Sequence, residues 1–449
     1  MIYLPIESLG PRLRYKMERI PVPLRSAYLG ISEAFPRPNR QHLIESSIED
    51  RDTIDVLPFN RSTDGSLSDR YVEFVINPLS AFINLNDIVL EIKGSVAKSD
   101  GSAWIDSDKL DFASNGLHSM IKSAQVYMNG TLVESNQYYA HTAMIKALTS
   151  FRKNDLDSFG RLMGLHGGTD GVSSYNQAYF DGLNDKAKTR IADLKSRGFH
   201  FKGKLYLDIS TVSQYLLNSV EIRIKLELNS DQLIINSLSG VNPRVLIESA
   251  RLHISALKPR ENASLGLDKS LELTPLTYSF QKLLYKSHII PTNATMYTVE
   301  GPFLTIVPQF MYLCMVDLRA FSGTDYSKNS FYFNHYNIKE LQVTVNSKLK
   351  YCSTAKFPGG AASLLYDTLS SLNGTDHLID YESFMNGSSI MCLDLAAEKL
   401  EDYHPTQSGN LRINITLQNP IDHNVILFIL GQTDALLEID SSRKVTLSG

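Results

Sequence analysis

Cysteine is scarce in this chain. Three occur in 449 residues, Cys314, Cys352 and Cys392, all in the second half. An odd, low number argues against a disulfide scaffold and suits a reducing compartment. Cys314 and Cys392 lie inside apolar runs, which fits buried, inert thiols better than nucleophiles. Tryptophan is rarer still, with Trp104 alone. The Cys…Trp…Cys pattern of immunoglobulin domains is therefore missing. No apolar run reaches the roughly 18–20 residues that cross a bilayer. The longest, "NVILFILG" from Asn424 to Gly431, has the length of a buried strand. No secretory signal opens the chain, so its seven N-x-[ST] sequons are expected to stay unmodified.

Charge of one sign is missing as well. The net charge is −4, with 44 basic and 48 acidic residues. Such a balance gives no global pull toward nucleic acid or anionic membrane, and no sequence-specific nucleic-acid binding is expected. Aromatics are not interleaved with a basic stripe, so single-strand binding has no support.

Catalytic motifs are lacking too. The 11 histidines are scattered, and His141, His166 and His200 have no second His or Cys at ligand spacing. No G-x-S-x-G elbow, Walker loop or dinucleotide fingerprint occurs. "GLHGGTDG" and "PGGAAS" are glycine-rich but lack a strand–turn–helix context, so they read as loops. Acid pairs such as Asp106 and Asp108 mean little without geometry. Catalytic residues, cofactors and metal ligands are thus all expected to be absent.

What the chain does have is strand. Residues 1–45 stand apart, holding six of 17 prolines and seven basic residues against four acidic ones. Proline at this density prevents continuous helix or central strand, so the segment reads as an extended arm. Arg12, Arg14, Lys16, Arg19 and Arg25 are its candidate contacts to neighbours or to an inner surface. From residue 46, alternating runs dominate. "RYVEFVIN" places Val72, Phe74 and Ile76 on one face, and "NDIVLEIKG" opposes Ile88, Leu90 and Ile92 to Glu91 and Lys93. Alternation continues to Leu257, lapses over 258–270, which reads as a linker, and resumes over 271–449. Helical patterning is confined to "NQYYAHTAMIKALTSF" and "LNDKAKTRIADLKSRG", both inside a long insertion at about 136–199, and to a short candidate, "STVSQYLLN".

One stretch is written twice. "IKSAQVYMNGTLVES" begins at Ile121, and "IKELQVTVNSKLKYC" begins at Ile338. Both read I-K-x-x-Q-V-x-x-N-x-x-L. Asn129-Gly130 is a strong two-residue hairpin signal, and Asn346-Ser347 takes its place in the second copy. Two weaker anchors follow in order: "LYLDIS" with "MCLDLA", and "EIRIKLEL" with "NLRINITL". Colinear anchors point to a diverged duplication. Two copies of about eight strands each fit an all-β fold: two tandem eight-stranded antiparallel jelly rolls, with a few helices in inter-strand insertions. The expected domains are the arm at 1–45, a first jelly roll at 46–257, the linker, and a second jelly roll at 271–449.

Several blocks are familiar together. They include "SSIEDRDTIDVLPFN", "NGLHSMIKSAQVYMNGTLVESNQYYAHTAMIKAL", "QYLLNSVEIRIKLELNSD", "ARLHISALKP", "SKNSFYFNHYNIKELQVTVN" and "LLEIDSSRKV". In order, they resemble the double jelly-roll, hexon-like major capsid proteins of Maverick/Polinton and adintovirus-type elements, in the adenovirus and tectivirus lineage. The resemblance implies a structural role. Three chains would form a pseudo-hexameric homotrimer, a capsomer that tiles an icosahedral shell. Implied partners are neighbouring capsomers and penton and minor capsid proteins. The arm would reach an internal membrane or the genome. The location would be the virion, assembled in the host nucleus or cytoplasm and not secreted. Residues 136–199 and 353–390 would form an external crown or intersubunit contacts. The alternatives are a receptor- or glycan-binding β-sandwich attachment protein and a hydrolase on the same scaffold. The first needs an aromatic platform or calcium loop, and the second needs carboxylates facing inward; neither pattern is evident.

Overall fold

The computed structural model describes residues 48–60, 70–166, 172–238, 240–354, 362–374, 376–396 and 407–448. The arm residues Arg12, Arg14, Lys16, Arg19 and Arg25 lie outside them. Residues 48 to 449 form one compact unit.

Sixteen strands build two sandwiches. The first uses β1 (Ile48–Val56), β2 (Tyr71–Ile76), β3 (Phe82–Lys98), β4 (Ile121–Met128), β5 (Thr131–Asn136), β6 (Phe199–Lys204), β7 (Ile222–Leu228) and β8 (Pro243–Pro259). The second uses β9 (Leu276–Ile290), β10 (Met296–Glu300), β11 (Phe310–Asp317), β12 (Ile338–Val345), β13 (Lys348–Thr354), β14 (Met391–Asp394), β15 (Leu411–Leu417) and β16 (Val425–Ile439). The first pairs its strands as β1-β8-β3-β6 and β2-β7-β4-β5. The second pairs them as β9-β16-β11-β14 and β10-β15-β12-β13. Each order follows from the other by a shift of eight strands, and each is a jelly roll.

The order is driven by alternation. Strands β4 and β12 share the same burial pattern residue for residue, with Ile121, Ala124, Val126 and Met128 matching Ile338, Leu341, Val343 and Val345 inside. Inward apolar residues of both sheets meet face to face, as a sandwich requires.

Helices fill the connections. α1 (Tyr139–Ser150) and α2 (Asp185–Arg197) lie between β5 and β6. Asn184 caps α2 by accepting from Ala187 N–H at 2.9 Å, and Gly198 ends it at φ 78°. A Cβ at Gly198 would lie 2.2 Å from the Gly94 carbonyl, so only glycine fits there.

Three expectations need correction. The stretch read as a linker is largely helical: β8 runs to Pro259 and α3 spans Glu261–Leu273. Its polar residues hid an amphipathic pattern that buries Leu271 in the first core. "STVSQYLLN" is not a helix; only a 3-10 turn at Asp208–Thr211 touches it. Residues 353–390 contain α4 (Ala362–Asn373) and a further helical turn at Tyr381–Met385.

The two cores are not sealed from each other. Tyr139 and Ala143 of α1 belong to the first, while Ala140, Met144, Ile145 and Leu148 belong to the second. The far ends of β9 and β16 (Tyr278, Phe280, Ala435, Leu437 and Ile439) return the exchange by packing into the first. α1 was expected in an outer crown. It is a wedge between the jelly rolls instead, because it is apolar almost all round.

Candidate functional site

The repeated hairpins are the first feature to place. In the first copy, Asn129 and Gly130 have φ 45° and 79°; in the second, Asn346 and Ser347 have φ 50° and 63°. Both turns therefore use positive φ at two successive positions, as a two-residue primed hairpin demands. The likeness extends to the irregularities. One extra residue, Val133, bulges from β5, and Lys350 bulges at the same distance past the turn in β13. Lys122 and Lys339 are each the odd residue where β4 meets β7 and β12 meets β15. The conserved skeleton of the two stretches is thus a bulge at Lys, a buried Val and a turn at Asn.

The turn asparagines do the same work in both copies. Asn129 N–H donates to the Glu221 carbonyl at 3.0 Å, and its Oδ1 accepts from Glu221 N–H at 2.8 Å. Asn346 makes the same pair with Asn410, at 2.9 and 2.8 Å. Glu221 and Asn410 precede β7 and β15, so each turn is pinned to the neighbouring strand. Asn129 adds a bond of its own, from Nδ2 to the Arg443 carbonyl at 2.6 Å. The Arg443 side chain reaches Asn218 at 2.8 Å and Asp268 of α3 at 3.3 Å. One arginine thus ties the first jelly roll, the connecting helix and the loop after β16.

The second anchor is only partly equivalent. "MCLD" is strand β14, whereas "LYLD" follows β6 and leads into the 3-10 turn. The third is fully so, since it covers β7 and β15.

The junction between jelly rolls is the second feature. The face of β9-β16-β11-β14 turned away from its own core presents Tyr285, Phe428 and Tyr312. Tyr138 packs its ring on Phe428 at 5.4 Å and on Tyr285 at 5.7 Å, and its hydroxyl pairs with Ser287 at 2.9 Å. His141 stacks on Phe321 at 4.3 Å, and burial lowers its imidazole to about 4. Two acids are buried beside this contact. Asp208 N–H donates to Glu134 at 2.8 Å, and Leu283 N–H of β9 donates to Asp208 at 3.0 Å. Glu134 Oε1 and Asp208 Oδ1 have no partner among the described residues. Burial pushes the Asp208 carboxyl up to about 7 against the pull of Lys146, and burial and the neighbouring Asp208 push Glu134 up as well.

The third feature is the outward face of β1-β8-β3-β6. His253 of β8 lies between Asp55 of β1 at 2.6 Å and Glu91 of β3 at 2.9 Å. His200 of β6 reaches the other Glu91 oxygen at 3.0 Å. Burial raises Glu91, but hydrogen bonds from His253, His200 and Lys93 outweigh it and hold the carboxyl at about 2. Arg51 and Lys204 flank Asp87 at 3.0 and 3.5 Å. The face is a lattice of both signs, in contrast to the apolar face that receives α1.

No chemistry collects elsewhere. Among the described residues no group of three or more His, Cys, Asp or Glu could hold a metal ion, and no helix is long and apolar enough to cross a membrane. Cys314 and Cys392 are buried, and burial pushes the Cys392 thiol up to about 12. Cys352 is exposed on β13. His118 is a packing residue, its ring stacked on Tyr206 at 4.4 Å and its Nδ1 accepting from the Tyr139 hydroxyl at 3.0 Å. Sequence reasoning missed Tyr138, the Glu134–Asp208 pair and the convergence of His200 and His253 on Glu91. Strand alternation did put Glu91 on the outer face.

Comparison with solved structures rests on these features. A chain from the structure of the Sputnik virophage superposes with a TM-score of 0.63 at 15% identity, over 92% of this chain and 91% of that one. Its fold is the double jelly roll. The PBCV-1 virus capsid gives 0.58 at 11% identity over 93% of this chain and 99% of that one. The mavirus major capsid protein gives 0.53 at 12% identity over 93% of both chains. No protein-family profile and no curated protein matches the chain. The neighbours of this double jelly roll are thus viral capsid chains.

Proposed function

We propose that this chain is a structural major capsid protein and not an enzyme. Three copies make a capsomer, and capsomers tile an icosahedral shell. One observation carries the reading: two jelly rolls of identical strand order stand fused in one compact unit. A fused duplicate lets three chains present six similar bodies, and six-sided tiles fill a flat facet. The capsid neighbours support the same reading. Within it, the Asn129-Gly130 and Asn346-Ser347 turns set strand register. The arm, through Arg12, Arg14, Lys16, Arg19 and Arg25, touches neighbours or an inner membrane or genome surface. Penton and minor capsid proteins are further partners, the Polinton and adintovirus lineage is the closest in kind, and assembly takes place in the host nucleus or cytoplasm. The test is size-exclusion chromatography with light scattering, then negative-stain imaging. A three-chain mass with a hexagonal outline is expected. A persistent monomer at micromolar concentration refutes the reading.

A further inference from the structure

The two jelly rolls match in strand order, yet their equivalent outer faces are used differently. On β9-β16-β11-β14 the outer face is filled by the first jelly roll. The filling comes from α1, between β5 and β6, and from the turn after β6. There Asp208 and Thr211 accept from Leu283 N–H and Gln281 N–H, at 3.0 and 2.8 Å. On β1-β8-β3-β6 the same face is open among the described residues. Arg51, Thr53, Asp55, Arg251, Lys202 and Lys204 are all exposed there.

The second jelly roll also has a filling segment that fills no such face. Between β13 and β14, and just past β14, residues 362–396 hold the counterpart of the stretch that carries α1. Leu364 is 57% exposed and Tyr381 41%, large apolar side chains standing out from a helical surface. Within one chain there is therefore one occupied face, one open face and one filler with nothing to fill. A contact of this head-to-tail kind closes a ring when copies repeat it.

Charge supports the match. Besides its histidines, the open face carries Arg51, Lys93, Lys202, Lys204 and Arg251 against Asp55, Asp87 and Glu91. Residues 362–396 carry Asp367, Asp376, Asp380, Glu382 and Asp394 and no Lys or Arg. The arm is a poorer occupant, because it is basic like the face. Complementary potentials steer and orient such an encounter.

We propose that the outward face of β1-β8-β3-β6 is the docking surface for a second copy of this chain, which enters through its acidic 362–396 segment with Leu364 and Tyr381 as anchors. The proposal rests on the capsomer reading and names the contact that closes it. The intersubunit contact is then polar and the intrachain one apolar, so salt weakens the first and spares the second.

The experiment is a charge swap read by light scattering, with circular dichroism as the control for folding. K202E/K204E alone and D367K/D376K alone should shift the three-chain mass to one-chain mass, and the four substitutions together should restore it. Both single-side variants remaining folded trimers would overturn the surface while leaving the capsomer reading intact. A wild-type monomer would overturn the capsomer reading itself. Should a charge variant unfold, T53C in a C352S background decides. Slower maleimide labelling than at an S442C control in the three-chain species supports the contact, and equal labelling overturns it. If trimers survive the charge variants but are lost on deleting residues 1–45, the arm holds the face and the assignment fails.

Discussion

The two hairpins permit a reciprocal experiment. Gly130 has φ 79°, and a Cβ placed there would meet nothing within 4 Å. Gly130→Val therefore introduces no clash. Its cost is the backbone alone, about 1–2 kcal/mol for an L-residue in the left-handed region, toward the upper end for a β-branched side chain. Ser347 already pays this cost at φ 63°. Ser347→Gly should recover most of it, less about 0.4–1 kcal/mol for the freer unfolded chain, leaving a gain of about 0.5–1 kcal/mol. If each jelly roll melts as a unit of about 200 residues, each kcal/mol moves the midpoint by about 2–4 °C. Gly130→Val should then lower the first sandwich's midpoint by several degrees, and Ser347→Gly should raise the second's by a smaller amount. Differential scanning calorimetry on both variants reads this directly. The reasoning is refuted if Gly130→Val leaves the transition unmoved, or if Ser347→Gly lowers it.

Three further outcomes are expected. Asp208 has its carboxyl raised to about 7 by burial, so the folded state binds a proton more tightly than the unfolded one, and its contribution to stability falls as pH rises from the ordinary aspartate range through about 7. Asp208→Asn removes that slope, so its stability relative to wild type should grow across that window and level off above it in urea titrations; a pH-independent difference would contradict the assignment. His118, His141 and His166 are lowered by burial and act oppositely toward acid, but they cancel between the two proteins. Phe428, fully buried where α1 meets β16, should cost about 3–5 kcal/mol when cut to Ala, measured by chemical denaturation. Deleting residues 1–45 should leave trimers intact and impair shell assembly, and an unchanged particle yield by electron microscopy would count against a role for the arm.

Local chemistry was legible in the sequence. Period-two alternation marked β2, β3, β7 and β15, and asparagine with glycine marked the first turn, since positive φ is cheap there. The capped and glycine-terminated pattern of α2 was equally local. Because a two-residue turn and alternating Ile, Val and Leu recur at Ile121 and Ile338, the duplication could be read from the chain alone. The sequence likewise placed Cys314 and Cys392 in apolar runs.

Only the tertiary structure decided what the faces meet. α1 reads as one more helix in an insertion, yet it is buried between two cores because β9 and β16 happen to offer an apolar outer face. His253 meets Asp55 across 198 positions and Glu91 across 162. Glu134 meets Asp208 across 74. No local pattern encodes such pairs, since they arise when separate strands come into register. The same holds for the contrast between the occupied and the open sheet face. Alternation determines that a strand has two faces, and only packing determines which of them is left for a partner.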